Sequence, residues 1–98
     1  MMRLRNRPPT HPGRILKDHY LKPLSMNVAQ VADALKVSRK TLSKIVNERG
    51  AVTPDMALRL SRAFKTTPEV WLNLQQTYDL WHAYRDSQAW KAAHPIAA

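Results

Sequence analysis

"NVAQVADALKVSRKTLSKIVNERG" occupies residues 27–50, and the spacing of its apolar residues decides the fold. Val28, Val31, Ala32 and Leu35 recur at helical intervals, and Leu42, Ile45 and Val46 repeat the period further on. Each run has its own start signal. Asn27 stands as an N-cap with Gln30 three residues later, the pattern of a capping box, and Ser38 caps the second run. Only Lys36 and Val37 lie between them, so two short helices must turn sharply against each other, as in a helix-turn-helix unit.

On a wheel of ~100° per residue, Leu42, Ile45 and Val46 fall on one side of the second helix. Arg39, Lys40, Ser43, Lys44 and Asn47 cover an arc of roughly 140° opposite. Such a helix is pinned by its apolar side and offers hydrogen-bond donors outward. In a helix-turn-helix the second helix enters the DNA major groove, where Arg and Lys donate to guanine O6 and N7 and Ser serves base or phosphate. Arg39, Lys40, Ser43 and Lys44 are therefore expected in the groove. Ser38 sits where a helix N-terminus can also hold a phosphate, and Asn47 and Arg49 are expected on phosphates. Lysines on the wet side of an ordinary soluble helix bundle would look the same, so the wider charge distribution has to decide.

The 98-residue chain carries a formal charge of +9, unevenly placed. Residues 1–22 hold six Lys/Arg against Asp18, and residues 36–49 hold five against Glu48. Two separate basic clusters point to a polyanionic partner, with nucleic acid first and an acidic membrane or protein surface second. The length allows one domain. There is no cysteine, which excludes disulfides and cysteine-based zinc sites and suits a reducing, cytoplasmic compartment. Apolar runs are far short of the ~18 residues that span a bilayer, and the basic start "MMRLRNRPPTHPG" lacks the apolar core of a secretory signal.

Outward from the central unit, every further element also reads as a helix. One follows "HPG", with Pro12 in its opening turn, Ile15, Leu16 and Tyr20 facing inward, and Pro23 as its stop. "TPD" at Thr53 and "TPE" at Thr67 each combine a threonine cap, a first-turn proline and an acid suited to the positive helix end. The helix after Thr53 would bury Met56, Leu60, Ala63 and Phe64. The helix after Thr67 would bury Val70, Trp71, Leu74, Tyr78 and Trp81. The result is an all-α, five-helix domain over residues 12–83, with a basic flexible arm at 1–11 carrying Arg3, Arg5 and Arg7 for the DNA backbone. Residues 84–98 read as a tail with room for one short helix before Pro95.

The last helix has a second apolar side. Leu72 and Leu80, with Gln76 between them, lie about 100–180° from Trp71 and are not expected to share its core. Either the tail covers them or a second copy does. A homodimer is the preferred reading, because two recognition helices related by a twofold axis would read a palindrome.

From residue 11 to 83 the sequence resembles the HigA-type antitoxins of bacterial toxin–antitoxin modules, within the phage-repressor-like (XRE-type) helix-turn-helix family. The resemblance rests on "HPGRIL", "LKPL", "VADALKVSRKTLSKIVNERGAVTPDMALRLSRAF" and above all "TTPEVWLNLQQTYDLWHA". It implies a cytoplasmic homodimer that binds an inverted-repeat operator in its own promoter, represses transcription and neutralises a cognate, small and basic, ribosome-dependent mRNA interferase. This chain departs from the family's usual pattern at Arg14, where an acid is common, and at Ser25, Lys36 and Lys65, where glycine is. In the interhelical turn glycine adopts positive φ freely. Lys36 must therefore accept a strained conformation, costing ~1–2 kcal/mol, or reshape the turn.

Other chemistries find no support in the residues. His11, His19, His82 and His94 are too dispersed for a metal site, and no serine has His and Asp partners at a recognisable spacing. No cofactor motif is present, and catalysis has no residues to stand on. A small basic ribonuclease would share the length and charge but should show strand alternation and a His/Glu/Arg cluster. A repressor without a toxin partner, and an RNA-associated protein that binds without sequence preference, remain open.

Overall fold

The computed structural model describes residues 7–97, and every regular element among them is helical. Helix α1 (Pro12–Leu16) runs directly into a π-helical turn at Lys17–Leu21. Helices α2 (Val28–Leu35), α3 (Arg39–Val46), α4 (Pro54–Phe64) and α5 (Pro68–Asp86) follow, and a 3-10 turn occupies Ala89–Ala92.

Three of the expected start signals form as written. The amide of Gln30 donates to Asn27 Oδ1 at 2.8 Å while the Asn27 amide donates to Gln30 Oε1 at 2.9 Å, closing the capping box. Ser38 Oγ accepts from the Thr41 amide at 3.0 Å, and Thr53 Oγ1 from the Met56 amide at 3.2 Å. Thr67 differs: it holds the N-cap position with extended backbone, but its side chain makes no capping bond. The working hydroxyl there is that of Thr66, which accepts the indole N–H of Trp71 at 2.7 Å. The start of α5 is left to the fixed φ of Pro68 and to Glu69 in its first turn.

The helix ends before α5 share one device, whereas α5 runs out through an extended Ser87. Ser25, Lys36, Glu48 and Lys65 all stand at positive φ, between 54° and 63°. In each case the next amide reaches back to the helix: Met26 to Leu21, Val37 to Ala32, Arg49 to Lys44 and Thr66 to Ser61, at 2.7–3.1 Å. These are Schellman-type closures, which glycine would make without a Cβ penalty. The strained alternative anticipated for Lys36 is the one observed, with φ 59° and ψ 44°.

Leu16, Val31, Leu42, Leu60 and Trp71 are fully buried at the centre of the core. Helix α4 is rotated relative to the expected face: Ala57 is fully buried beside Met56 and Leu60, Phe64 packs at the margin, and Ala63 is exposed. On α5, Val70 is 45% exposed, whereas Gln75 is buried. The reason is a long-range polar contact. Gln75 Oε1 accepts the Val52 amide at 2.8 Å and its Nε2 donates to Asp79 Oδ1 at 2.9 Å. Without it a buried N–H would go unpaired, at a cost of about 1–3 kcal/mol.

Candidate nucleic-acid interface

The recognition candidate α3 is seated from behind by Leu42, Ile45 and Val46, all buried. Its approach to α1 is unusually close. A Cβ on Gly13 would lie 1.7 Å from the carbonyl oxygen of Ile45, so only glycine permits the two backbones to meet there. His11 fixes the entry to α1. It is buried, its Nδ1 accepts the Gly13 amide at 2.9 Å, and its ring meets Tyr78 of α5 edge-on with centroids 4.8 Å apart. Burial is the largest influence on this imidazole and pushes its pKa below 6.5, against the opposing pull of Glu48, of the Gly50 carbonyl and of Asp79.

On the outward side, Arg39, Lys40, Lys44 and Asn47 are exposed and Ser43 is half-buried. The Asn47 amide folds back to donate to Ser43 Oγ at 3.2 Å. Ser38 is occupied locally: its Oγ donates to Thr41 Oγ1 at 2.8 Å as well as capping the helix. Among the described residues no acid pairs with Arg39, Lys40, Lys44 or Arg49. The ion pairs lie elsewhere, at Arg14–Asp18 (3.5 Å), Lys22–Asp18 (3.1 Å), Lys36–Asp33 (3.9 Å) and Arg59–Asp55 (2.8 Å). The hydrogen bond from Lys22, reinforced by Arg14, holds the Asp18 carboxyl below the usual carboxylate range. A polar cleft of mixed charge, lined by Arg14, Lys17, Asp18, Lys22, Asn47 and Glu48, lies between the first helical segment and the end of α3. Arg7 is exposed; Arg3 and Arg5 fall outside the described residues.

The angle of α3 depends on the turn before it. Arg59, reaching over from α4, donates through Nη1 to the carbonyls of Leu35 and Lys36 at 2.8 and 3.1 Å, and through Nε to Asp55 at 2.8 Å. Local pattern did not reveal this residue, because its partners lie 23 and 24 positions away. The same holds for Gln75. His11 and Gly13 were visible only as part of "HPG", without the contact that gives them meaning.

On the far side of α5, Leu72 departs from expectation. It is half-buried and packs against the core. Gln76 is exposed and Leu80 is 45% exposed, and with Leu72 and Ala83 they line an open, mainly apolar groove. The tail does not close it: Trp90 stacks on Tyr84 with centroids 5.0 Å apart and leaves Leu80 open. Among the described residues no group of His, Cys, Asp and Glu could hold a metal ion, and no helix is long and apolar enough to cross a membrane.

Comparison with known proteins gives a consistent picture. A helix-turn-helix family model matches residues 19–71. An HTH-type transcriptional regulator of Haemophilus influenzae is 48% identical over 75 residues, 76% of this chain and 70% of its own. Antitoxin HigA-1 of Vibrio cholerae is 39% identical over 80 residues, 82% of this chain and 75% of its own. The solved structure of antitoxin GraA in complex with its operator is similar with a TM-score of 0.85 at 39% identity, covering 100% of both chains.

Proposed function

The chain belongs to the HigA-type helix-turn-helix family, and from that premise we propose that it is a DNA-binding antitoxin that represses its own operon and neutralises a cognate mRNA-interferase toxin. The observation that carries the reading is the face of α3, on which Arg39, Lys40 and Lys44 stand exposed without an acidic partner while Leu42, Ile45 and Val46 anchor the other side. An unpaired cation face is available to phosphates and guanine edges without first breaking an ion pair.

In this reading Arg39, Lys40, Ser43 and Lys44 enter the major groove. Ser38 orients the helix N-terminus toward a phosphate, and Asn47 and Arg49 hold the backbone. Residues 1–11 form an arm whose Arg3, Arg5 and Arg7 add phosphate contacts, residues 12–83 form the DNA-binding body, and residues 84–98 form the tail. The protein works in the cytoplasm as a homodimer joined through Leu72, Gln76 and Leu80. The exposure of Leu80 and the groove around it support that assignment. The test is competition between an inverted repeat from the chain's own promoter and bulk DNA. Preference for the repeat supports the reading, and equal affinity removes it.

A second reading, a repressor of the same fold without a toxin partner, draws on the acids. Asp18, Asp33 and Asp55 are paired with Lys or Arg within the chain, which leaves four of its seven acids, against a formal net charge of +9, to meet a basic toxin. Co-purification with the product of the adjacent reading frame separates the two: a stable complex supports the antitoxin, and its absence the plain repressor.

A further inference from the structure

We propose that Arg59, which lies on α4 away from the outward face of α3, is a positioning residue for DNA recognition that acts through the interhelical turn. The inference rests on the DNA-binding reading above.

The last carbonyls of α2 have no partner within that helix, and they sit at the negative end of its dipole. They also sit in the turn that sets the angle between α2 and α3. The turn is held in a left-handed conformation by Lys36, with φ 59° and ψ 44°, where a side chain is unfavourable. Its own bonds, Lys36 amide to Asp33 at 3.1 Å and Val37 amide to Ala32 at 3.0 Å, close the backbone from inside. Arg59 closes it from outside, donating to Leu35 O at 2.8 Å and Lys36 O at 3.1 Å. Asp55, one turn earlier on α4, fixes the guanidinium through Nε at 2.8 Å. The planar fork thus holds three acceptors at once, two of them the carbonyls that flank the strained residue. A lysine ammonium, a single point charge on a flexible stem, does not reproduce that geometry. Releasing the clamp lets the turn relax and swings α3 relative to the rest of the domain. Groove contacts demand an orientation that non-specific phosphate contacts do not.

The experiment uses the full chain and an inverted-repeat duplex selected from a random pool by the wild type, competed against bulk DNA at a temperature where circular dichroism shows each variant folded. Arg59→Lys keeps the charge and Arg59→Met removes it. Both are expected to lower preference for the selected duplex at least tenfold and to speed amide exchange at Val37. Arg62→Met, which removes an exposed cation from the same helix, should change preference less than twofold. Adding Lys36→Gly to Arg59→Lys should restore most of the preference, because the turn then needs no clamp. Should Arg59→Met fail to fold, Arg59→Lys carries the test. An Arg59→Lys variant that discriminates like the wild type, or whose loss Lys36→Gly does not relieve, overturns the inference while leaving the DNA reading intact. A wild type that enriches no duplex overturns both together.

Discussion

Helices α3 and α5 both turn an outward face to solvent, and the two faces are opposites. On α3 the outward residues are cations and small polar groups, and the apolar residues all go inward. On α5 apolar residues occur around most of the circumference: Trp71 and Trp81 are buried, Leu72 and Leu74 lie at the margin, and Val70 and Leu80 are 45% exposed. A helix with one apolar side needs only its own domain, whereas one with two has surface left over. The first face fits a polyanion, and the second fits another apolar surface.

The largest effect expected from disturbing this division comes from behind α3. Gly13→Ala would place a methyl against the Ile45 backbone, and the resulting displacement should cost about 3 kcal/mol, read as a fall in melting temperature. A variant that melts like the wild type would show that α1 and α3 are not held in close contact. Next is Leu80→Glu on α5, which should give a folded monomer with operator affinity reduced about a hundredfold, since only one half-site is then engaged at a time. Sedimentation decides: a Leu80→Glu protein that stays dimeric moves the interface elsewhere on the molecule.

On α3 itself, Arg39→Ala or Lys40→Ala should cost ~1–3 kcal/mol of specific binding and relax base preference, while Arg7→Ala or Arg49→Ala weakens all DNA alike and flattens the salt dependence. Binding curves across salt concentrations distinguish the two classes. Unchanged operator affinity in both α3 variants would remove the groove assignment. A smaller gain is expected at the turn, where Lys36→Gly should stabilise by about 0.5–1 kcal/mol by relieving positive φ, net of glycine's entropy. Loss of stability there would mean that lysine makes a contact glycine cannot replace.

The smallest effect is a pH slope. Because burial lowers the His11 pKa in the folded protein, the unfolded chain takes up the proton first, and stability should fall as pH drops below about 6.5 until the folded pKa is passed. Glu48 and Asp79 oppose the shift, while Arg14, Tyr78 and His82 complete the surroundings of the ring. His11→Asn retains an acceptor for the Gly13 amide but does not titrate, so its unfolding free energy should vary less between pH 7 and 5. An identical slope would assign the acid sensitivity to other groups.

The contrast between the helices also explains what could be read in advance. The caps at Asn27, Ser38 and Thr53 and the inward face of α3 are local, set by residues within four positions of each other, and all are present. The features that depart from the local pattern depend on distant partners. Ala57 is buried and Ala63 exposed because α2 and α5 set the rotation of α4, and Gln75 is buried because Val52 needs an acceptor. Arg59 looks like any helical arginine until the α2 carbonyls are brought beneath it. Thr67 fits the capping pattern, yet Thr66 holds the bond that matters, to an indole five residues on.

In the proposed function the unpaired cation face of α3 reads sequence and does not merely attract phosphate. Its most direct test is the affinity of the wild type for its promoter inverted repeat and for bulk DNA, measured by fluorescence anisotropy from low to physiological salt. A face that reads sequence should give at least about a thousandfold preference for the repeat that persists as salt weakens both. Equal affinities that fall together with salt would contradict it, leaving a basic surface with no sequence to recognise.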